Sequence, residues 1–169
     1  MEAVLADPSA RVSAVSVLDA AELDRVLHEW NDTAVEVPAA TLPGLFAQQV
    51  ARTPDVPALV FEGESLSYAE LDGRANRLAR QLIECGVGVD SVVGVSLPRG
   101  FDMVVALLAV HKAGGAYLPI DPDLPAERVA FMVADAGAVC VISEVPRSGS
   151  DTAPDVAVLP GHAAYVIYT

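Results

Sequence analysis

The 169-residue chain is poor in cysteine, lysine and aromatic residues. Its two cysteines, Cys85 and Cys140, are far apart and form no CxxC pair, so they predict neither a disulfide nor a metal site. We expect both to be small, buried hydrophobic side chains of a protein in a reducing compartment, the cytoplasm.

Basic residues are scarce, with ten Lys and Arg against 23 Asp and Glu, for a net charge of −13. The chain has no basic stripe with interleaved aromatic residues, so we expect no nucleic-acid partner. We also expect no membrane association, because the apolar run from Met103 to Val110 is far shorter than the roughly 18 residues of a membrane span. The first residues include Glu2 and no basic cluster, so they predict no signal peptide.

Apolar residues make up 53% of the chain, enough for one domain with a hydrophobic core. From residue 91 onward, apolar strands alternate with helical patterns: strand 91–97, helix 101–114, strand 116–120, helix 125–137 and strand 138–143. The strands are apolar on both faces, which is typical of a parallel sheet covered by helices. The pattern therefore predicts a layered α/β fold, with a mostly parallel sheet flanked by helices.

Shorter elements surround this alternation. Before it we predict a helix over 19–30 with Asp19 as N-cap, a helix from Thr41 to Thr53, a hairpin of strands 58–61 and 65–68, and a helix capped by Ser67 and Glu70. After it, the polar segment 144–155 predicts a mobile surface loop, and two apolar strands, 156–159 and 163–169, follow.

The stretch HKAGGAYLPIDPDLPAERV, residues 111–129, forms a stiff corner between two helices. Gly114 is expected to supply the positive φ of a helix C-cap, and Gly115 to let the backbone pass close to its neighbour. Asp123 is predicted to cap the second helix. A magnesium site at Asp121 and Asp123 would need phosphates and further oxygen ligands nearby, so we favour turn and capping chemistry over a metal site.

The same stretch closely resembles a core motif of the amino-acid adenylation domains of non-ribosomal peptide synthetases, which are adenylate-forming enzymes. LSYAELDGRANRLAR, 66–80, is similar to the motif that precedes it in those domains, and 27–63 resembles their usual entry. Helix 19–30 resembles the linker that follows an upstream condensation domain. The resemblance implies an interdomain linker over 1–36 and, over 37–169, the incomplete N-terminal subdomain of an adenylation domain.

In that family an amino-acid carboxylate attacks the α-phosphate of Mg-ATP, and the acyl group then passes to the phosphopantetheine thiol of a carrier protein. The resemblance therefore implies Mg-ATP, an amino-acid substrate, a peptidyl carrier protein with its phosphopantetheine and an upstream condensation domain for the complete synthetase. For these 169 residues alone we expect no cofactor and no adenylation activity.

This expectation depends on where the family's nucleotide-binding residues lie. Its phosphate-binding loop, rich in Ser, Thr and Gly, begins directly after a strand like AAYVIYT, and Thr169 matches the first residue of that loop. The family's adenine-stacking aromatic, ribose-binding acid and adenylate-binding lysine lie farther along. Lys112 matches a scaffold lysine and does not replace the catalytic one. The resemblance thus gives Thr169 as a nucleotide-binding residue, and no catalytic residue or metal ligand.

The isolated histidines His28, His111 and His162 predict surface or structural roles. Three alternative functions stay open at this point. The chain is part of an acyl-CoA synthetase or aryl-acid ligase, or it is a non-catalytic scaffold or interaction module that keeps the fold, or a separate chain completes its domain.

Overall fold

A computed structural model describes residues 18–169, and its contacts divide the chain into two units, one through Pro38 and one from Ala39 to Thr169. The predicted linker boundary at residue 36 stays a prediction, and residues 1–17 of that linker lie outside the described residues.

The first unit contains helix α1, Ala20–Leu27, and a short 3-10 helix, Glu29–Asn31. A reciprocal capping box begins α1, because the Asp19 carboxylate accepts from the Glu22 N–H at 2.8 Å and the Glu22 carboxylate accepts from the Asp19 N–H at 3.0 Å. The N-cap predicted at Asp19 is therefore confirmed.

The second unit contains the remaining helices and strands. In chain order they are α2 Leu42–Arg52, β1 Pro57–Phe61, β2 Glu64–Ser67, α3 Tyr68–Glu84, β3 Val92–Val95, α4 Phe101–Lys112, β4 Ala116–Pro119, α5 Ala126–Asp135 and β5 Cys140–Ile142. Strands β1 and β2 form the predicted antiparallel hairpin. None of the helices in residues 18–169 combines the length and the apolar character that crossing a bilayer requires.

Helix α3 shows how directly the sequence dictates its local structure. The Ser67 hydroxyl accepts from the Glu70 N–H at 3.2 Å, and the Glu70 carboxylate accepts from the Ser67 N–H at 2.9 Å, so the predicted capping box is confirmed. These bonds from Ser67 lower the pKa of the Glu70 carboxyl group. The helix ends before Gly86, whose φ of +90° is the left-handed conformation common just after a helix end.

Strands β3, β4 and β5 form a parallel sheet in the order β4-β3-β5, with Val93 opposite Tyr117 and Cys140. The chain runs from β3 to one neighbour and then back across β3 to the other, so right-handed crossovers put α4 and α5 on opposite faces. The core agrees, because Val93 and Val105 of α4 share one buried cluster whereas Leu118 and Met132 of α5 share another. The predicted layered α/β fold is confirmed.

The corner between α4 and β4 has the predicted glycine geometry. Gly114 has a φ of +86°, the left-handed conformation of a helix C-cap. A Cβ atom on Gly115 would lie 2.9 Å from the carbonyl oxygen of Ser91, so the backbone passes too close there for any side chain.

The prediction of two strands after residue 155 is wrong. Residues 156–159 form no strand, and 163–169 contribute only one parallel bridge, Tyr165 to Tyr117 of β4. Two hydrogen bonds hold this bridge, from the Tyr117 N–H to the Ala164 oxygen at 3.2 Å and from the Val166 N–H to the Tyr117 oxygen at 2.9 Å. Apolar residues favour a strand, but the ladder also needs a partner along its whole length.

The segment 144–155 has no regular structure, as predicted, but several contacts attach it to α3 and α4. The Asn76 side chain donates to the Asp151 oxygen at 2.8 Å, and Arg80 donates to the Thr152 oxygen at 2.7 Å. Arg147 makes a bidentate ion pair with Asp102, at 2.8 and 3.2 Å. The polar side chains that hold the loop belong mainly to the helices.

The burial predicted for both cysteines is wrong for Cys85. Its side chain is exposed at the end of α3, beyond Leu82, the last buried residue of that helix. Cys140 is half-buried in β5, and burial raises the pKa of its thiol.

Candidate functional site

The carboxyl ends of β3 and β4 lie side by side and open into a crevice of about 730 Å³. The chain leaves these strands toward opposite faces of the sheet, and such switch points are where open α/β sheets bind ligands. Residues 97–99 after β3 form one wall, and residues 120–124 after β4 form the other. We therefore take this crevice as the candidate functional site.

Backbone hydrogen bonds fix both walls beyond the strand ends. The Ser96 N–H donates to the Ile142 oxygen at 2.9 Å, and the Ile120 N–H donates to the Val95 oxygen at 2.9 Å. The ladder therefore continues one residue past β3 and β4, and the following loops leave it in defined directions.

Asp121 and Asp123 form a turn in the second wall. The Asp121 carboxylate accepts from the Asp123 N–H at 3.0 Å, and the Asp121 carbonyl accepts from the Leu124 N–H at 3.1 Å. The cap predicted at Asp123 is wrong, because Pro125 is the N-cap of α5 and no side chain caps it. Within residues 18–169, no cluster of three or more His, Cys, Asp or Glu side chains is arranged to hold a metal ion.

Tyr168 attaches the final segment of the chain to α5 at the crevice. Its hydroxyl donates to the Asp135 carboxylate at 2.6 Å, and this hydrogen bond raises the pKa of the Tyr168 phenol. Its ring meets the Phe131 ring edge to face, with centroids 6.3 Å apart. The Arg128 guanidinium faces the Tyr168 ring, 5.7 Å from its centroid. This packing holds residues 166–168 on the helix.

Thr169 directly follows Tyr168 and is exposed. It is the one predicted site residue whose neighbours, Ile167 and Tyr168, line the crevice. Lys112 does not line it: its side chain is buried and its ammonium group lies 2.8 Å from the Asp72 carboxylate. The three histidines are also absent from the crevice lining.

Sequence reasoning missed two arginines in the crevice, Arg99 and Arg128. Arg99 lies four residues after the last residue of β3, and Arg128 lies in the first turn of α5. A polar residue soon after the carboxyl end of a parallel strand is the signal that would have indicated Arg99. Arg128 carries no such signal, because it lies within α5.

The crevice combines these two guanidinium groups with apolar side chains such as Met103 and Met132. The carboxylates of Asp121 and Asp123 also line the crevice and balance the two guanidinium charges, so it suits a ligand that joins polar groups to an apolar or aromatic body. Its two guanidinium groups do not by themselves form a triphosphate site, because Arg99 is exposed and Arg128 packs on aromatic rings. No reaction step is assigned to the nucleotide on these residues alone.

Comparison with known proteins adds a family relationship to this geometry. Residues 46–166 match the model of the AMP-binding enzyme family. Chondramide synthase cmdD of Chondromyces crocatus is 42% identical over 100% of this chain and 5% of its own length. A dimodular nonribosomal peptide synthase of Bacillus subtilis (strain 168) is 47% identical over 80% of this chain and 6% of its own length.

A solved structure agrees with these matches. The nonribosomal peptide synthetase FmoA3 with AMPPNP bound superposes with a TM-score of 0.76 at 37% identity, over 83% of this chain and 17% of that chain. The same protein with α-methyl-L-serine-AMP bound gives a TM-score of 0.76 at 36% identity, over 83% and 18% of the two chains. The present chain thus spans a small part of each of these proteins.

Proposed function

Because the chain belongs to the AMP-binding enzyme family, we propose that it serves in a nonribosomal peptide synthetase as part of an adenylation domain that activates an amino acid. The proposed activity is ATP-dependent formation of an aminoacyl-adenylate, followed by transfer of the acyl group to a carrier-protein thiol. Two relatives with nonribosomal peptide synthase in their names, at 47% and 37% identity, support the amino-acid branch over acyl-CoA synthetases and aryl-acid ligases.

The observation that carries the proposal is the meeting of three parallel segments at one edge of the sheet. Strands β3 and β4 end there, and the segment bridged at Tyr165 runs parallel to β4 toward the same edge. Tyr168 is fixed to α5 immediately before Thr169. We propose that Thr169 begins the phosphate-binding loop of the nucleotide site. The packing of Tyr168 on α5 would fix the position of the segment that leads into this loop.

The proposal extends to the longer protein. Mg-ATP would be the co-substrate, phosphopantetheine would be attached to the partner carrier protein, and an upstream condensation domain would precede residues 1–36 as the linker. We also propose a cytoplasmic location, in keeping with two free cysteines in residues 18–169. This chain would supply the sheet edge and crevice of the nucleotide site, with no catalytic residue of its own.

A chimeric synthetase tests the proposal. Residues 39–169 replace the matching segment of FmoA3, and amino-acid-dependent exchange of pyrophosphate into ATP is measured. We expect exchange within about tenfold of the parent, since a conserved fold positions the catalytic groups supplied by the rest of the domain. The matched control is a chimera with the equivalent segment of chondramide synthase.

Two results would overturn the proposal. One is a folded chimera without exchange activity when the control chimera is active. The other is pyrophosphate exchange by the 169-residue chain alone, because the crevice residues would then be a complete nucleotide site.

A further inference from the structure

A second cavity, of about 370 Å³, lies toward the amino end of β4, opposite the edge that holds the crevice. The start of α2, the last turn of α4 and the segment 158–165 form its walls. Its lining includes no Asp, Glu, Lys or Arg. Because a charged ligand would lose its hydration there without gaining a partner of opposite charge, the cavity suits an uncharged molecule.

His111 is the buried polar group of this cavity. The residue is 8% exposed, and within residues 18–169 neither of its ring nitrogens takes part in a hydrogen bond. The ring meets Tyr117 edge to face, with centroids 5.5 Å apart. Burial lowers the pKa of His111, so the neutral imidazole offers one N–H donor and one acceptor nitrogen. The ring nitrogens of His111 are not among the fully buried unpaired atoms of residues 18–169, so they keep solvent access and a ligand in the cavity can pair with them.

His162 adds a donor of defined tautomer. Its Nδ1 accepts from the Leu159 N–H at 3.1 Å, so the neutral ring carries its hydrogen on Nε2. In residues 18–169 that Nε2 has no hydrogen-bond partner. The cavity is therefore lined by two imidazoles, each of which can donate a hydrogen bond to an oxygen atom of a ligand.

Aromatic rings form the mouth of the cavity. The rings of Tyr117 and Tyr165 are tilted against each other with centroids 5.6 Å apart, and the Tyr165 side chain is exposed. A flat ring that enters here would meet both tyrosines in the offset or edge-on contacts that aromatic pairs favour.

We propose that this cavity is a binding site for an uncharged phenol, whose hydroxyl pairs with His111 and whose ring packs against Tyr117 and Tyr165. A phenolic hydroxyl both donates and accepts, so it can pair with whichever ring nitrogen of the neutral imidazole faces the cavity. The volume lies at the lower end of the range for small-molecule sites, which fits a single substituted ring. The site is independent of the proposed adenylation function, because it lies at the other edge of the sheet.

Binding of p-cresol to the purified chain tests the proposal, by isothermal titration calorimetry and ligand-observed NMR. Toluene has the same ring and methyl group without the hydroxyl, and p-toluate replaces the hydroxyl with a carboxylate. We expect saturable binding of p-cresol, binding of toluene weaker by about tenfold through loss of one buried hydrogen bond, and no binding of p-toluate. No binding of p-cresol at millimolar concentrations, or equal binding of p-cresol and toluene, would overturn the proposal.

Variants locate the binding. Ala164→Trp fills the mouth from an exposed position and should abolish binding of p-cresol, whereas Ala157→Trp makes the same change at an exposed alanine outside the lining and should not. His111→Phe removes the pairing group and should weaken p-cresol to the level of toluene. If His111→Phe does not fold by circular dichroism, the pair of tryptophan variants decides: unchanged binding in Ala164→Trp refutes the site.

Discussion

The ammonium group of Lys112 lies 2.8 Å from the carboxylate of Asp72, with the two side chains 8% and 21% exposed. This ion pair joins the last turn of α4 to α3. Lys112 also faces the ring of Phe46 in α2, 5.8 Å from its centroid, and Asp72 accepts a second hydrogen bond from Asn76 at 2.8 Å. One largely buried pair therefore connects three helices.

Removing one partner of this pair should be costly. Asp72→Ala leaves the Lys112 charge buried without its partner, and we expect the free energy of unfolding to fall by about 3–5 kcal/mol in urea denaturation. Arg147→Ala is the control, because it breaks an ion pair with Asp102 whose side chains are 69% and 32% exposed. Its expected cost is about 0–1 kcal/mol. Equal losses in the two variants would contradict the importance of burial.

The close approach at Gly115 predicts a second stability difference. In Gly115→Ala the new methyl group would meet the Ser91 carbonyl oxygen at 2.9 Å, so the backbone must move, at an expected cost of about 1–3 kcal/mol. Gly161→Ala is the matched control, since nothing lies within 4 Å of a Cβ atom there. Its unfolding free energy should change by no more than about 0.5 kcal/mol. A Gly115→Ala protein as stable as the control would show that the corner can relax.

His111 predicts a pH dependence of stability. The unfolded imidazole takes up a proton around its ordinary pKa of 6.5, whereas burial makes the folded one do so only at lower pH. The unfolded state therefore binds more protons between these two values, so stability is full above pH 6.5 and falls as the pH drops below it.

The measurement compares urea denaturation of the wild type and His111→Phe from pH 8 to pH 5. We expect the wild type to lose more stability over this range than the variant, with the values at pH 8 as reference. Parallel curves would mean that the folded His111 takes up its proton as readily as the unfolded one.

The attachment of Tyr168 to α5 predicts an effect on the proposed activity. In the chimeric synthetase, Tyr168→Phe removes the 2.6 Å hydrogen bond to Asp135 and leaves the ring in place. We expect the pyrophosphate-exchange rate to fall by about tenfold, because the segment before Thr169 is then less well positioned. Asp135→Ala removes the acceptor of this bond and should give a loss of similar size, and wild-type rates in both variants would rule out a positioning role.

Thr169 itself predicts a difference between two variants of the same chimera. If its hydroxyl contacts a phosphate, Thr169→Ala should lower kcat/KM for ATP by about tenfold or more, the usual effect of losing a hydrogen bond to a charged group. Thr169→Ser keeps the hydroxyl and should retain most of the activity. Equal activity of the alanine variant and the wild type would remove Thr169 from the nucleotide site.

Local structure was predictable where a backbone geometry strongly favours one residue type. The three-residue spacing of Ser67 and Glu70 predicts a capping box, and both bonds are present. Gly114 predicts a positive φ, and it has one. The prediction that Asp123 caps α5 was wrong. The Asp121 carboxylate accepts from the Asp123 N–H, and the N-cap of α5 is Pro125. With two carboxylates so close together, the sequence does not show which one forms the turn and which one caps the helix.

Long-range partners were not predictable. Lys112 and Asp72 are 40 residues apart, and only the packing of α4 on α3 brings them together. The prediction of a strand over 163–169 was wrong for a related reason. The apolar pattern is a local property of the sequence, whereas a strand needs a hydrogen-bonding neighbour along its length, and this segment makes one bridge. The arginines of the crevice became visible once the strand order was known.

The way α3 holds the loop 144–155 has an evolutionary consequence. Asn76 and Arg80 donate to the carbonyl oxygens of Asp151 and Thr152, and every residue type has such an oxygen. Substitutions in this part of the loop therefore leave the anchoring acceptors intact, while the two helix positions keep their donors. Relatives should therefore vary in sequence in the loop and keep hydrogen-bond donors at the two helix positions. The loop is for the same reason a suitable place to introduce an epitope or a fluorescent label.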